Sequence, residues 1–186
     1  MIDLLPTSLE VAGKLYRINA DFRNILLYIY PAFNDDELSD IEKAYVCVKC
    51  LFVDDVPMKH FEEAVKKAYW FCDGGNMPKS EPTKIKTLDW EHDAGILFPA
   101  INKVLGFEIR SVEFLHWWTV LGTFGEIDPN GLFAAVMSIR YKKARGKPLD
   151  KSEREYVHHN KELFNLMSKE DREAVAETEE FLKELI

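Results

Sequence analysis

The chain has 186 residues, 47% hydrophobic and 30% charged, which suits one packed domain, or one domain with a helical extension, and excludes wholesale disorder. With 24 basic against 32 acidic side chains the formal charge is −8, which argues against a general nucleic-acid binder, because such a protein needs a basic face to neutralise phosphates. No apolar run nears the roughly 18 residues that span a bilayer. The opening MIDLLPTSLE lacks the pattern of a signal peptide, and three cysteines make a poor disulfide framework, so a reduced, cytoplasmic setting is expected.

In chain order, SLEVAGKLYRIN alternates apolar and polar residues around Ala12-Gly13, with Val11 before the turn and Leu15, Tyr16 and Ile18 after it. This predicts a short β-hairpin, which must lean on another element to be stable. Asp21 is placed to cap a helix carrying Phe22, Ile25, Leu26 and Ile29 and ending before Pro31. SDIE, residues 39 to 42, fits a capping box, and Leu38, Ile41, Tyr45, Val48 and Phe52 then fall on one helical stripe. Phe61, Val65, Ala68 and Cys72 form another, followed by the loop CDGGNMPKSEPTK.

Trp90, Ala94, Leu97, Ile101 and Val104 give a helical face that stops at Gly106. VEFLHWWTVLG is apolar nearly all round and is expected to be the most buried helix. DPNG, residues 128 to 131, is expected to start the next helix, with Leu132, Val136 and Ile139 inward and RGKP as its stop. LDKSERE opens a helix with Tyr156, Leu163 and Leu166, and SKED, residues 168 to 171, caps a last one with Val175, Thr178, Leu182 and Leu185. The reading is a mainly α protein: a compact domain of about eight helices with a small N-terminal hairpin. Residues 1–149 form the domain and 150–186 a C-terminal helical extension free to dock or extend.

Four groups of residues carry chemistry. In DWEHDA, Asp89, His92 and Asp93 have the spacing of helix-borne metal ligands, which His116 would complete. The alternative is that Asp89 is an N-cap, Glu91 and Asp93 supply first-turn charge, and His116 is a core histidine. HExxH is absent, so no catalytic or metal-binding residue and no cofactor is assigned. CVKC, Cys47 to Cys50, has redox-motif spacing but lies inside a helix already under way, where small buried residues are the expected reading. RYKKARGK supplies Arg140, Lys142, Lys143 and Arg145 for an acidic partner or a phosphate backbone, or else a solvated helix end. The acidic last segment offers Val175, Leu182 and Leu185 to a partner or back to the domain. The structural core is expected at Trp90, Leu97, Trp117 and Trp118.

Three stretches carry a resemblance: YRINADFRNIL (16–26), DWEHDAGILFPAINKVLGFEI (89–109) and EFLHWWTV (113–120). With them the chain resembles the bacteriophage gene-product-fifteen family, proteins of tailed phages and prophages of Gram-positive bacteria. Such genes usually sit between the major tail protein and the tape measure gene. The resemblance implies a tail assembly chaperone, non-enzymatic, in the cytoplasm of the bacterial host. Its partner would be the tape measure protein, with the tail tube protein, a shorter chaperone or self-association as further partners and no membrane or nucleic acid. The competing functions are a structural tail component of the virion and a metal-dependent enzyme using Asp89, His92, Asp93 and His116.

Overall fold

The computed structural model describes residues 4–76 and 86–166, and the predicted last helix at 168–186 lies outside them. The protein is mainly α with one two-stranded antiparallel hairpin, as the sequence predicts. Packing divides the described chain into two compact units, one of residues 4–76 with 101–127 and one of 86–100 with 128–166. Residues 150–166 therefore pack with 128–149 and 86–100.

The first unit opens with β1 (Ser8–Val11) and β2 (Lys14–Arg17), in register Leu9 opposite Tyr16 and Val11 opposite Lys14. Ala12 and Gly13 both take positive φ, 51° and 75°, which is the geometry of the tight turn whose twist matches paired strands. The hairpin leans on helices: Leu9, Val11 and Tyr16 are buried, and the Ala12 N–H donates to Glu63 Oε1 at 3.0 Å. Beyond it Ile18 bridges Phe52, and Arg17 grips Asp54.

Asp21 caps α1 (Phe22–Asn24) by accepting the Arg23 N–H. The helix does not end before Pro31. It widens into a π turn (Ile25–Ile29), where the Tyr30 N–H reaches back to the Ile25 carbonyl, and continues as α2 (Tyr30–Phe33). The wider turn removes the spacing at which a proline ring strikes the carbonyl four residues earlier, so Pro31 is tolerated.

Helix α3 (Asp40–Leu51) starts with the expected capping box, Ser39 and Glu42 exchanging bonds. Of the predicted stripe Val48 and Phe52 are buried, but Ile41 is 77% exposed and Tyr45 47%, and Ala44, Cys47 and Leu51 complete the buried face. Helix α4 (Phe61–Cys72) buries Ala64, Ala68, Phe71 and Cys72, with Phe61 and Val65 only half-buried. The buried faces of both helices carry small residues, Ala44 and Cys47 on α3 and Ala64, Ala68 and Cys72 on α4, and Cys47 bonds Cys72; such residues permit close approach, because helix separation follows the side chains at the contact.

Helix α5 (Ala94–Leu105) buries Leu97 and Ile101 fully and stops at Gly106, φ 80°. The VEFLHWWTVLG stretch is helical only as α6 (Trp117–Thr123). Residues before it are drawn into extended pairing instead: the Phe22 N–H donates to Leu115 O at 3.0 Å and the Trp117 N–H to Ala20 O at 2.8 Å.

In the second unit DPNG is a turn and not a helix start. Asp128 accepts the Asn130 and Gly131 N–H groups, and α7 (Leu132–Ala144) begins after it. Leu132 is exposed and Phe133 takes its inward place with Val136 and Ile139. Gly146, φ 63°, ends the helix at RGKP. Helix α8 (Lys151–His159) has an Asp150/Glu153 capping box, and a break at Asn160 leads to α9 (Lys161–Phe164). The core here is Val136, Ile139 and Phe164, flanked by Ile96, Met137, Leu149, Val157 and Leu163.

Candidate functional site

DWEHDA is the anchor of the second unit. Asp89 Oδ1 accepts the Glu91 and His92 N–H groups, so it does act as a cap, and its Oδ2 accepts Lys86 Nζ at 2.9 Å. Asp93 is buried and paired with Arg140, whose Nη1 and Nη2 donate to the two carboxylate oxygens at 2.6 and 2.7 Å. Arg140 also donates to Thr87 O through Nη1 and to Leu163 O through Nε and Nη2. All five guanidinium N–H donors are thereby used. Arg140, expected on the surface for a partner, is instead 4% exposed and ties α7 to the 86–93 segment and to α9.

The HWW triplet performs the matching task in the first unit. His116 caps α6 by accepting the Trp118 N–H at Nδ1, so its proton sits on Nε2, which donates to Pro6 O at 3.0 Å. Both ring nitrogens are committed. Trp117, fully buried, donates Nε1–H to Cys72 O, and Trp118 donates to Phe71 O, both at 2.8 Å. Trp117 thus gives the Cys72 carbonyl at the end of α4 a donor, and Trp118 adds a second donor to the Phe71 carbonyl, which also accepts the Gly74 N–H. Trp118 stacks on Phe71 and meets Trp70 edge-on at 5.3 Å, while remaining half-buried, as does Trp90. Among the described residues no group of three or more His, Cys, Asp or Glu side chains is arranged to hold a metal ion.

The cysteines are free thiols on α3 and α4. Hydrogen bonding with Cys72 and burial push the Cys47 thiol far up from its ordinary range, and burial pushes Cys50 up as well. Neither is set up as a thiolate nucleophile. In the basic run, Lys142 pairs with Glu153, Lys143 and Arg145 are exposed, and Arg145 lies over the Tyr141 ring. Val175, Leu182 and Leu185 lie outside the described residues.

What the first unit leaves uncovered is apolar. Ile41 and Tyr45 stand one turn apart on the outer face of α3, and Met58, in the 3-10 turn (Met58–His60) before α4, is 71% exposed. Beside Tyr45 a groove of about 240 Å³ has Val48 and Phe52 at its floor and Val56, Met58 and Phe61 along its side. Lys49, Asp54 and Asp55 rim it. The sequence pattern places Ile41 and Tyr45 on one apolar stripe with Val48 and Phe52. Met58 carries no periodic signal and is missed.

No helix among the described residues is long and apolar enough to cross a membrane. No curated protein and no solved structure matches the chain. The family model described as Bacteriophage Gp15 protein matches residues 1–166, and the chain belongs to this family of bacteriophage proteins.

Proposed function

We propose that the protein is a non-enzymatic tail assembly chaperone that holds the phage tape measure protein until tail tube subunits displace it. The observation that carries this reading is the regular apolar stripe of α3 that the fold leaves unburied, Ile41 and Tyr45, next to the groove at Met58. An apolar face carried on a helix, in a chain of charge −8, is suited to shielding a long apolar partner while keeping the complex soluble. The motif residues whose types first suggested chemistry, Asp89, Asp93 and His116, have their polar atoms committed to holding the fold, which supports a binding role over a catalytic one. Family membership supports a place in phage morphogenesis.

Co-expression with the tape measure protein followed by size-exclusion chromatography tests the reading. Co-elution of a soluble complex is expected, and a tape measure protein that precipitates or elutes alone would overturn it. Mass spectrometry of finished particles should find the protein absent. Stoichiometric retention would make it a structural tail component instead.

A further inference from the structure

We infer that the groove beside Tyr45 receives a cationic amphipathic helix of the partner, its apolar side chains seated between Tyr45 and Met58 and its Lys or Arg residues facing the acidic rim. The inference rests on the tape measure reading and specifies which part of that partner is recognised. Three observations carry it. First, the groove's 240 Å³ is at or below the small end of the roughly 300–1,000 Å³ of small-ligand pockets, a size suited to one or two side chains of a docked segment.

Second, the apolar surface continues out of the groove along α3 from Tyr45 to Ile41. Residues four apart on a helix lie about 6 Å apart along its axis. A ridge of that spacing matches a helix offering anchors at i and i+3 or i+4.

Third, the sign of the charge selects the occupant. Residues 35–63, which contain α3, the groove loop and the start of α4, hold nine carboxylates and three lysines, a net −6 of the chain's −8. At the rim, Asp54 is engaged by Arg17, and Asp55, with its side chain 95% exposed, meets Lys49. Exposed pairs of this kind are weak and exchange readily for a partner's cation. A second copy of the chain would bring the same carboxylates face to face, whereas a basic helix is complementary.

The test compares the full-length protein with Ile41→Asp/Met58→Asp and with Asp55→Lys, each co-expressed with the tape measure protein and then measured with the purified partner. All three side chains are exposed, so far-UV circular dichroism should match wild type. The apolar variant should bind at least about 30-fold more weakly, the effect of losing one anchor residue of about 2 kcal/mol. Asp55→Lys should weaken binding and flatten its salt dependence. Wild type and the apolar variant binding equally well would overturn the groove while leaving the chaperone reading intact. Failure of wild type itself to bind the tape measure protein would overturn both. Concentration-dependent self-association of the protein alone, abolished by Ile41→Asp/Met58→Asp with tape measure binding unchanged, would assign the groove to a second copy and also overturn the inference.

Discussion

Replacing Arg140 by Met tests the account of DWEHDA. The substitution keeps much of the side chain's length and apolar stem but removes five donated hydrogen bonds. Asp93, whose side chain is 0% exposed, would keep the Asp89 N–H at 2.9 Å as its remaining partner. Stranding one charge of a buried pair destabilises by about 3–5 kcal/mol. The Thr87 and Leu163 carbonyls lose their Arg140 donors, which keeps the expectation at the upper end of that range. Asp93→Asn should cost about as much, because it leaves the guanidinium without a counter-charge. The double variant carries neither charge, so it should be less destabilised than the sum of the two by about 2 kcal/mol or more. With two compact units a bulk melting curve does not report one transition, so the assay is hydrogen exchange resolved to α7 and α8. An Arg140→Met variant whose α7 amides open within about 1 kcal/mol of wild type would refute the argument.

Trp117→Phe keeps an aromatic ring in the core but deletes the bond to Cys72 O, so it should cost about 1–3 kcal/mol. Trp117→Ala should cost about 3–5 kcal/mol, and hydrogen exchange in α4 separates the two. Gly75→Ala meets both a backbone penalty at φ 82° and a Cβ placed 2.8 Å from the Trp118 ring, whereas Gly106→Ala at φ 80° meets no atom within 4 Å. By hydrogen exchange in the first unit, the first should therefore destabilise clearly more than the second, and equal losses would mean that only the backbone matters. The Arg110 guanidinium and backbone N–H, with Asn102, hold the Glu108 carboxyl down from 4.5 to about 2. A depressed carboxyl contributes stability that is present above its unfolded value and is lost as pH falls toward 2, so Glu108→Gln should flatten the acid limb between those values. A carboxyl carbon titrating near 4.5 by NMR would count against this.

Features fixed by neighbours in sequence were legible. The Ala12-Gly13 turn, the Ser39/Glu42 capping box and the stops at Gly106 and Gly146 each depend on a few adjacent residues. Features fixed by distant partners were not. Nothing near Arg140 in the sequence signals that Asp93, 47 positions earlier, neutralises it, so RYKKARGK read as an exposed basic patch. Likewise the pairing of residues 20–22 with 115–117, which shortens α6, joins two of the stretches that carry the family resemblance and leaves no periodic trace. The HWW triplet was legible as buried aromatic mass. Its role in completing α4 depends on where the last carbonyls of that helix fall, which pattern alone does not give.

The misreading of α3 has a physical cause that bears on function. Two apolar stripes overlap on this helix, and the one with larger side chains, Ile41 and Tyr45, looks like the core because hydrophobic pattern weights size. Over residues 41–47 the fold buries Ala44 and Cys47 in place of Ile41 and Tyr45, because small residues let α3 and α4 close together, while Val48 and Phe52 further along are buried. Ile41 and Met58 consequently retain most of the roughly 1.5–3 kcal/mol that full burial of such a side chain supplies. Together they offer a partner about 2–4 kcal/mol, while association itself costs at least about 4 kcal/mol in lost freedom. These two contacts alone barely offset that cost, so one groove engaging one helix should bind weakly, far short of the roughly −12 kcal/mol of nanomolar binding. In the proposed chaperone role, weak single contacts would permit displacement by tube subunits, and stable coating would then depend on many copies along one long tape measure chain. Isothermal titration of the protein with single tape measure helices measures this directly. A single helix bound at nanomolar affinity would mean that the contact is not built to be displaced.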